Sequence, residues 1–564
     1  MALAALALAP LLARGYVLAY DMVFVPRIPL GRDLLGLGTS VARAVPSDLL
    51  VALASRVAPA ELVQKLILVG IFVFGGWGAA RLAPVATAAG GAAAAGLFVW
   101  NAHVYERLLM GHWALLVSYA ALPWVVGAAL DYRAGRARAH RLVAALAVAA
   151  CGSPPGAVIA AGTALAVVAG RPWRRAGTVL AAALALNLPW LLPSVLRSGG
   201  VPVRPAGAAA FASRPDGPFG TLGSLLGLGG IWNGLVTPPG HGAWAWWPGF
   251  AVVLAVAVIG WLVILRRWDR GAAVGLLVGA AVGLALAGAY AVPALRGAVD
   301  FAIAHVPGGG MIRDAQKFVS PLALVEAIGF GAGVERVLGM LEPSRWRVAA
   351  AAALVAAPVL LVPGLAWGAA GRLGTAAYPP DWRQARQAMA ADPEPGAMLV
   401  LPWHLYFGFP WNGDRVVLDP AQRYFTRRAV GNDDLELRRV TVPGEDPYGG
   451  RLGPLVRGAA PLAPALAAQG IRYVLVLKVA EWAEFTPRLA GAQRLLDGAD
   501  LALYRVPGPA AAVRFAAPPA APVVAGDLLA LATAAWAVVG VLPGVALWRR
   551  RLLLFARAGE GSHR

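Results

Sequence analysis

The sequence predicts an α-helical polytopic membrane protein of about twelve spans, with an α/β domain placed before the last helix. Three observations predict it. The 564-residue chain is 59% hydrophobic and only 14% charged, with a mean hydropathy of +0.65. Apolar stretches close to the ~20 residues that cross a bilayer, such as 249–265 and 271–291, alternate with arginine knots. The knots are Arg133-Arg136-Arg138-Arg141, Arg171-Arg174-Arg175, Arg266-Arg267-Arg270, Arg345-Arg347 and Arg549-Arg550-Arg551. Short basic loops stay cytoplasmic because translocating clustered positive charge is disfavoured. That places both termini in the cytoplasm and the other polar loops outside.

The same numbers exclude an ordinary soluble enzyme. A net charge of +20 can indicate nucleic acid, but here the cations sit in short loops between spans, where topology explains them. Lys65, Lys317 and Lys478 are the only lysines, and this arginine bias, with abundant Ala and Gly, suits a high-GC bacterial source. Cys151 is the only cysteine, so neither an internal disulfide nor a multi-cysteine metal site can form. It reads as a small apolar residue near a span end.

Element by element, residues 1–20 read as a first span without the basic leader of a signal peptide. Arg14 inside it would cost roughly 2.5–3.5 kcal/mol at a helix centre, so it faces a polar site or the natural start lies upstream. Residues 21–61 form a long outer loop, in which Ser47 is placed to cap a short helix that could lie on the membrane surface. Spans at 62–80 and 84–99 make a hairpin. A compact loop, Trp100 to Trp113, leads into a span that descends to the Arg133 knot. The turn signal Cys151-Gly152-Ser153-Pro154-Pro155-Gly156 divides the next two spans, and a seventh rises to about 196. The loop 197–248 carries Trp232, Trp244, Trp246 and Trp247, which suit a membrane interface or a sugar ring. Two pairs of spans then bracket the Arg266 and Arg345 knots.

From about 371 to 522 charges become frequent. Strand-like runs at 398–401, 415–418 and 471–477 and a helical stretch at 381–391 read as a soluble α/β domain. The last span, 523–547, ends at Arg549. The organisation is thus 1–370 membrane module, 371–522 extracytoplasmic domain, and 523–564 final span with a basic tail. No internal repeat is visible, which weakens an inverted-repeat transporter.

Three polar constellations fall on the outer side. Asp21 follows the first span between apolar neighbours, with Asp33 beyond it among solvated loop charges; partial burial would raise the Asp21 pKa and suit a general base. The second holds His103, Tyr105, Glu106, Arg107 and His112, with Glu106–Arg107 an available ion pair. A divalent metal is compatible with these ligand types, although the spacing matches no tight site. The third is Arg313-Asp314-Ala315-Gln316-Lys317-Phe318. Arg313 and Lys317 share a helix face if the next span has begun, and an anion such as phosphate would relieve two cations at a helix N-terminus. The alternative is pairing with Asp314.

Together these loops resemble the GT-C superfamily of integral-membrane glycosyltransferases. The third stretch is similar to the R-E-P-Q-K-F type sequence of actinobacterial arabinofuranosyltransferase-like proteins. Asp21, the 106–112 loop and the domain before a final span also match. The first loop lacks an acidic pair, and Asp314 stands where a glutamate is expected. The resemblance implies a polyprenyl-phosphate sugar donor, an envelope glycan acceptor and a site on the outer face of the cytoplasmic membrane. In that scheme Asp21 is the base, with Glu106 and His112 as further catalytic residues. Asp33, His103, Arg107, Arg313, Asp314 and Lys317 bind substrate, with Arg313 and Lys317 on phosphate, and no metal ligand is assigned. A flippase for lipid-linked saccharides and a non-catalytic glycan-binding scaffold are the alternatives.

Overall fold

The computed structural model describes all residues except 171, 198–205, 307, 438–439 and 561–564, and no side chains at 206 and 543–560. The expected knots at Arg171 and at Arg549-Arg550-Arg551 therefore lie outside the described residues or side chains. Among the described residues, seven helices are long and apolar enough to cross a membrane: Ala60–Leu82, Trp113–Arg133, Arg174–Leu196, Trp246–Arg267, Arg270–Ala291, Ala315–Leu338 and Ala520–Leu542. The pair Arg345–Leu361 and Pro363–Ala370, bent by 68°, makes an eighth if taken as one span. The chain is a multi-pass membrane protein.

The other expected spans are shorter. Ala2–Leu12, Ala139–Ala150 and Pro154–Val168 are apolar helices, and Ala88–Val99 has 12 residues. Twelve residues cover about 18 Å, less than the ~30 Å hydrocarbon core. Length alone thus supports seven or eight crossings. The helix expected over 1–20 stops early. Ala2–Leu8 passes into a 3-10 turn, Ala9–Leu12, that contains Pro10, which has no N–H to extend the ladder. Arg14 is exposed beyond that turn, so no arginine sits inside this helix. Ser47 is not a cap either: the helix runs Ser47–Val57 after Pro46, and the Ser47 hydroxyl donates back to the Ala44 carbonyl at 3.1 Å.

Helices pack closely where small residues face each other. A Cβ on Gly260 would overlap the Gly329 carbonyl, so Trp246–Arg267 lies almost backbone to backbone on Ser320–Leu338, as small-residue faces permit in membranes. The two ends of the bundle differ in chemistry. At one end Arg133 pairs with Asp269 at 2.7 Å and Arg267 faces Glu335 at 3.7 Å. Glu335 also accepts from the backbone N–H groups of Ala86 and Thr87. The opposite end carries the 100–113 loop, the 313–319 segment and the sheet-bearing part of the chain.

That part holds a five-stranded sheet in the order Gln493–Asp497, Leu501–Arg505, Ile471–Leu477, Ala397–Leu401, Ala429–Val430. The last three strands are parallel and the first two antiparallel additions. A separate hairpin pairs Tyr406–Gly408 with Val416–Leu418. The chain's N-terminal segment is stitched to this region. Tyr16–Val17 pairs with Thr375–Ala376, and Tyr20 exchanges backbone hydrogen bonds with Val416 and Leu418. Residues some 400 apart in sequence thus meet beside Asp21.

Candidate active site

Asp21 is fixed by backbone on two sides. Its N–H donates to the Met110 carbonyl at 3.2 Å, while Tyr20, at φ +43°, is bent onto the hairpin. A bulky residue at positive φ is strained, and such strain persists only where surrounding contacts over-determine it. The turn at Met110-Gly111 receives this segment so closely that a Cβ on Gly111, itself at φ +74°, would overlap the Met22 and Asp21 backbone nitrogens.

The side chains then form a continuous chain of contacts. Asp21 Oδ1 accepts from the Tyr406 hydroxyl at 2.7 Å, and Oδ2 lies 3.3 Å from His112 Nε2. His112 Nδ1 lies 3.0 Å from Arg107 Nη1. A guanidinium can only donate, so Nδ1 offers its lone pair and the ring proton sits on Nε2, directed at Asp21. Arg107 grips Asp314 with two bonds, at 2.7 and 3.1 Å, and its Nε donates to Gln316 at 3.1 Å. Gln316 in turn donates to Glu106 Oε2 at 3.0 Å and to the Gly229 carbonyl at 3.1 Å.

Electrostatics separate these carboxyls. Burial alone would raise the Asp21 pKa, but hydrogen bonds from His112 and Tyr406, with the Arg423 guanidinium, hold it below the usual carboxylate range. The expected rise does not occur, because the neighbours are donors and cations rather than apolar walls. Asp21 still keeps 40% of its side-chain surface accessible. At Asp314 burial is likewise outweighed, by Arg107 and Lys317, and the carboxyl is held well below its ordinary value. Glu106 goes the other way: burial and the nearby Asp216 push it well up. It is fully buried, and among the described residues it does not pair with Arg107, whose charge is taken by Asp314. His103 is also fully buried; burial, then the Arg107 charge, pull its pKa down to about 3. Its Nε2 meets the Ser320 hydroxyl at 3.1 Å, and that hydroxyl donates to the Lys317 carbonyl.

Lys317 stands beside Asp314 and Arg107, but its ammonium makes no hydrogen bond or ion pair among the described residues. It does not share a helix face with Arg313. Gly309–Ile312 and Ala315–Val319 are 3-10 turns, and the α-helix begins only at Ser320, so the four-residue spacing has no helical meaning here. Arg313 leaves the cluster altogether: it faces Glu445 at 3.3 Å and stacks 5.0 Å over Phe211. Asp33 is also elsewhere, in an exposed turn where it accepts from Ser40. The remaining residues expected in the site, Asp21, His103, Glu106, Arg107, His112, Asp314 and Lys317, come together. No group of three or more His, Cys, Asp or Glu side chains is placed to hold a metal ion among the described residues.

Sequence reasoning missed Tyr406, which comes from the sheet-bearing part, and the joining role of Gln316, which lay inside a quoted motif. It also missed Asp216 and His241, 3.1 Å apart and buried behind Glu106.

A helical bundle that carries a polar cluster at the end where it meets an α/β sheet has a counterpart among solved structures. The chain is similar to the cryo-EM structure of arabinofuranosyltransferase AftD from Mycobacteria, with a TM-score of 0.60 at 17% identity over 90% of this chain and 40% of that one. Two classes of a point mutant of AftD give TM-scores of 0.59 at 17% identity and 0.53 at 18%, covering 90% and 89% of this chain and 41% of each of those. The likeness at this identity is one of fold, and the chain spans about two fifths of the AftD length. No protein-family model and no curated protein matches the sequence.

Proposed function

We propose that the chain transfers a sugar from a polyprenyl-phosphate donor to an envelope glycan at the outer face of the cytoplasmic membrane. The observation that carries this reading is an accessible, ionised Asp21, oriented by His112 and Tyr406, in one cluster with the uncommitted Lys317 ammonium. Asp21 takes the proton of the acceptor hydroxyl as its oxygen bonds to the anomeric carbon. The bond from that carbon to the phosphate oxygen breaks, and its electron pair leaves with the lipid phosphate. Lys317 faces the charge that develops there. Arg107, Asp314, His103 and Glu106 are buried or largely so; they position this pair rather than touch substrate.

Sidedness rests on the arginines. The end of the bundle with Arg133, Arg267 and Arg345 is basic and lies opposite the site, as the positive-inside rule requires of a cytoplasmic face. Both termini are then cytoplasmic, and residues 371–522 form the outer domain. The expected run of about twelve crossings includes the short helices, of which Ala139–Ala150 and Pro154–Val168 turn back beside Ala114 and Ser118. AftD, an arabinofuranosyltransferase, favours a pentofuranosyl donor.

The test is purified protein in lipid nanodiscs given labelled polyprenyl-phosphate sugar and a glycan acceptor. Asp21→Asn lowers transfer by ~100-fold or more. Undiminished transfer removes Asp21 from the base role. Label that crosses proteoliposomes without forming a glycosidic bond replaces the transferase by a flippase.

A further inference from the structure

One peptide group behind the site joins two buried carboxyls. Gln316 donates to Glu106 Oε2 at 3.0 Å and to the Gly229 carbonyl at 3.1 Å. At the other end of that peptide, the Gly230 N–H donates to Asp216 Oδ2 at 2.7 Å. Only glycine fits at 229, since a Cβ there would overlap Asp216 Oδ2 and His241 Cε1. Asp216 Oδ1 faces His241 Nδ1 at 3.1 Å, with 3% and 0% of the two side chains accessible. Trp246 packs edge-on against the imidazole, at 4.2 Å between ring centroids.

The cations around Glu106 are committed elsewhere. Arg107 has five N–H donors, and all are taken: Nε by Gln316, Nη1 by His112 and Asp314, Nη2 by Asp314 and Gln316. Lys317 stands beside Asp314, His241 beside Asp216, and His103, on the Glu106 helix, turns to Ser320. Glu106 therefore meets neutral donors, the Gln316 amide and the Ile231 N–H. Like charges buried together disfavour ionisation of both, and the donors decide which carboxyl keeps the proton. At Asp216 burial is outweighed by His241, Ser224 and the Gly230 N–H, so Asp216 is the ionised member and the proton stays on Glu106. An ionised Glu106 would compete with Asp314 for Arg107 and draw the guanidinium off His112.

We propose that Asp216, oriented by His241, is a positioning residue whose charge keeps the proton on Glu106 and so leaves Arg107 to Asp314 and His112. His112 in turn stays on Asp21. Asp216 touches no substrate and acts only through this chain of contacts. Its effect on transfer rests on the transferase reading above; its hold on the Glu106 proton does not.

Asp216→Asn tests this, because the amide oxygen can still accept from Gly230 while the charge is gone. Infrared spectra of the full chain are taken against pH in a maltoside detergent, which has no ester carbonyl. Subtracting Glu106→Gln, in the parent and in the Asp216→Asn background, isolates the Glu106 carboxyl. The parent is expected to show a protonated-carboxyl band that moves in D2O, and Asp216→Asn to lose it at a pH lower by about one unit or more, the size of a lost charge interaction. A parent without the band overturns the proposal even if Asp216→Asn does not fold. A band that persists equally in both backgrounds overturns it as well. The rate profile for sugar transfer supplies the second readout. Its alkaline limb moves to lower pH in Asp216→Asn and moves back in Asp216→Asn/Glu106→Gln, where nothing can ionise at 106. A limb that stays put, or that stays shifted in the double variant, removes the positioning role. A parent that transfers no sugar sinks the transferase reading alone, and the infrared bands then decide the role of Asp216.

Discussion

The Tyr406 hydroxyl donates to Asp21 Oδ1 at 2.7 Å across 385 residues of sequence, so the sheet-bearing part completes the surroundings of a carboxylate that belongs to the N-terminal segment. A hydrogen bond to a charged group contributes about 1.5–3 kcal/mol, and here it favours the ionised form. Tyr406→Phe removes that donor and leaves His112 and Arg423. The Asp21 pKa then rises, and the acidic limb of the pH–rate profile for sugar transfer moves upward by roughly one unit. An unmoved limb in the Phe variant shows that Asp21 does not govern it.

Glu106 and Asp314 lie on either side of Arg107 and Gln316 and carry opposite shifts. Glu106 is held neutral by burial and by Asp216, so Glu106→Gln replaces one neutral acceptor by another. Transfer and Tm stay close to those of the parent. Asp314→Ala instead leaves the buried Arg107 guanidinium unpaired, a change that costs about 3–5 kcal/mol. Thermal unfolding of the two variants side by side checks the contrast, and a Glu106→Gln protein as damaged as Asp314→Ala refutes it.

Gly111 is where the 100–113 loop meets the Asp21 segment. Ala at this position is strained by the positive φ and would overlap the Met22 and Asp21 backbone nitrogens. The segment must move, and Asp21 leaves His112. Gly111→Ala is expected to lower Tm and to reduce transfer by an order of magnitude or more, since small misplacements at a reacting centre can cost about 100-fold. Parent-like activity would show that the turn does not set the position of Asp21.

Much of this was legible in the sequence because hydropathy and loop charge report directly on membrane spans. The helices Ala60–Leu82, Trp113–Arg133 and Ser320–Leu338, and the strands Ala397–Leu401 and Ile471–Leu477, fall close to where the apolar runs end. The convergence of Asp21 with His112 and Asp314 was also within reach, since all three flank spans at the same end. Other features were hidden for physical reasons. Pro10 ended a helix that hydropathy would have continued. Arg313 was diverted by Glu445, a partner 132 residues away that no local pattern announces. The pKa of Asp21 depended on Tyr406 and Arg423, which tertiary packing supplies. Residue type suggested the chemistry; the sign of each shift needed the neighbours.

Asp419 offers a test that needs no substrate. It is 3% exposed, its Oδ1 accepts from the Ala421 N–H at 2.8 Å, and its Oδ2 has no partner among the described residues. Burial raises its pKa to about 7, with the Ala421 hydrogen bond opposing. The folded state therefore holds the proton more tightly than the unfolded chain, whose aspartates titrate near ~3.9. This contribution to stability is full below about pH 4 and is lost as pH rises through about 7, where it levels off. Its size is on the order of a few kcal/mol, at ~1.4 kcal/mol per pKa unit. Asp419→Asn keeps the acceptor and the neutral form at every pH. Its Tm should exceed that of the parent at pH 7.5 and lack the decline between pH 4 and 7 that this residue causes. A variant with the parent's slope across that window would show that the Asp419 carboxyl is already ionised in the folded chain at low pH.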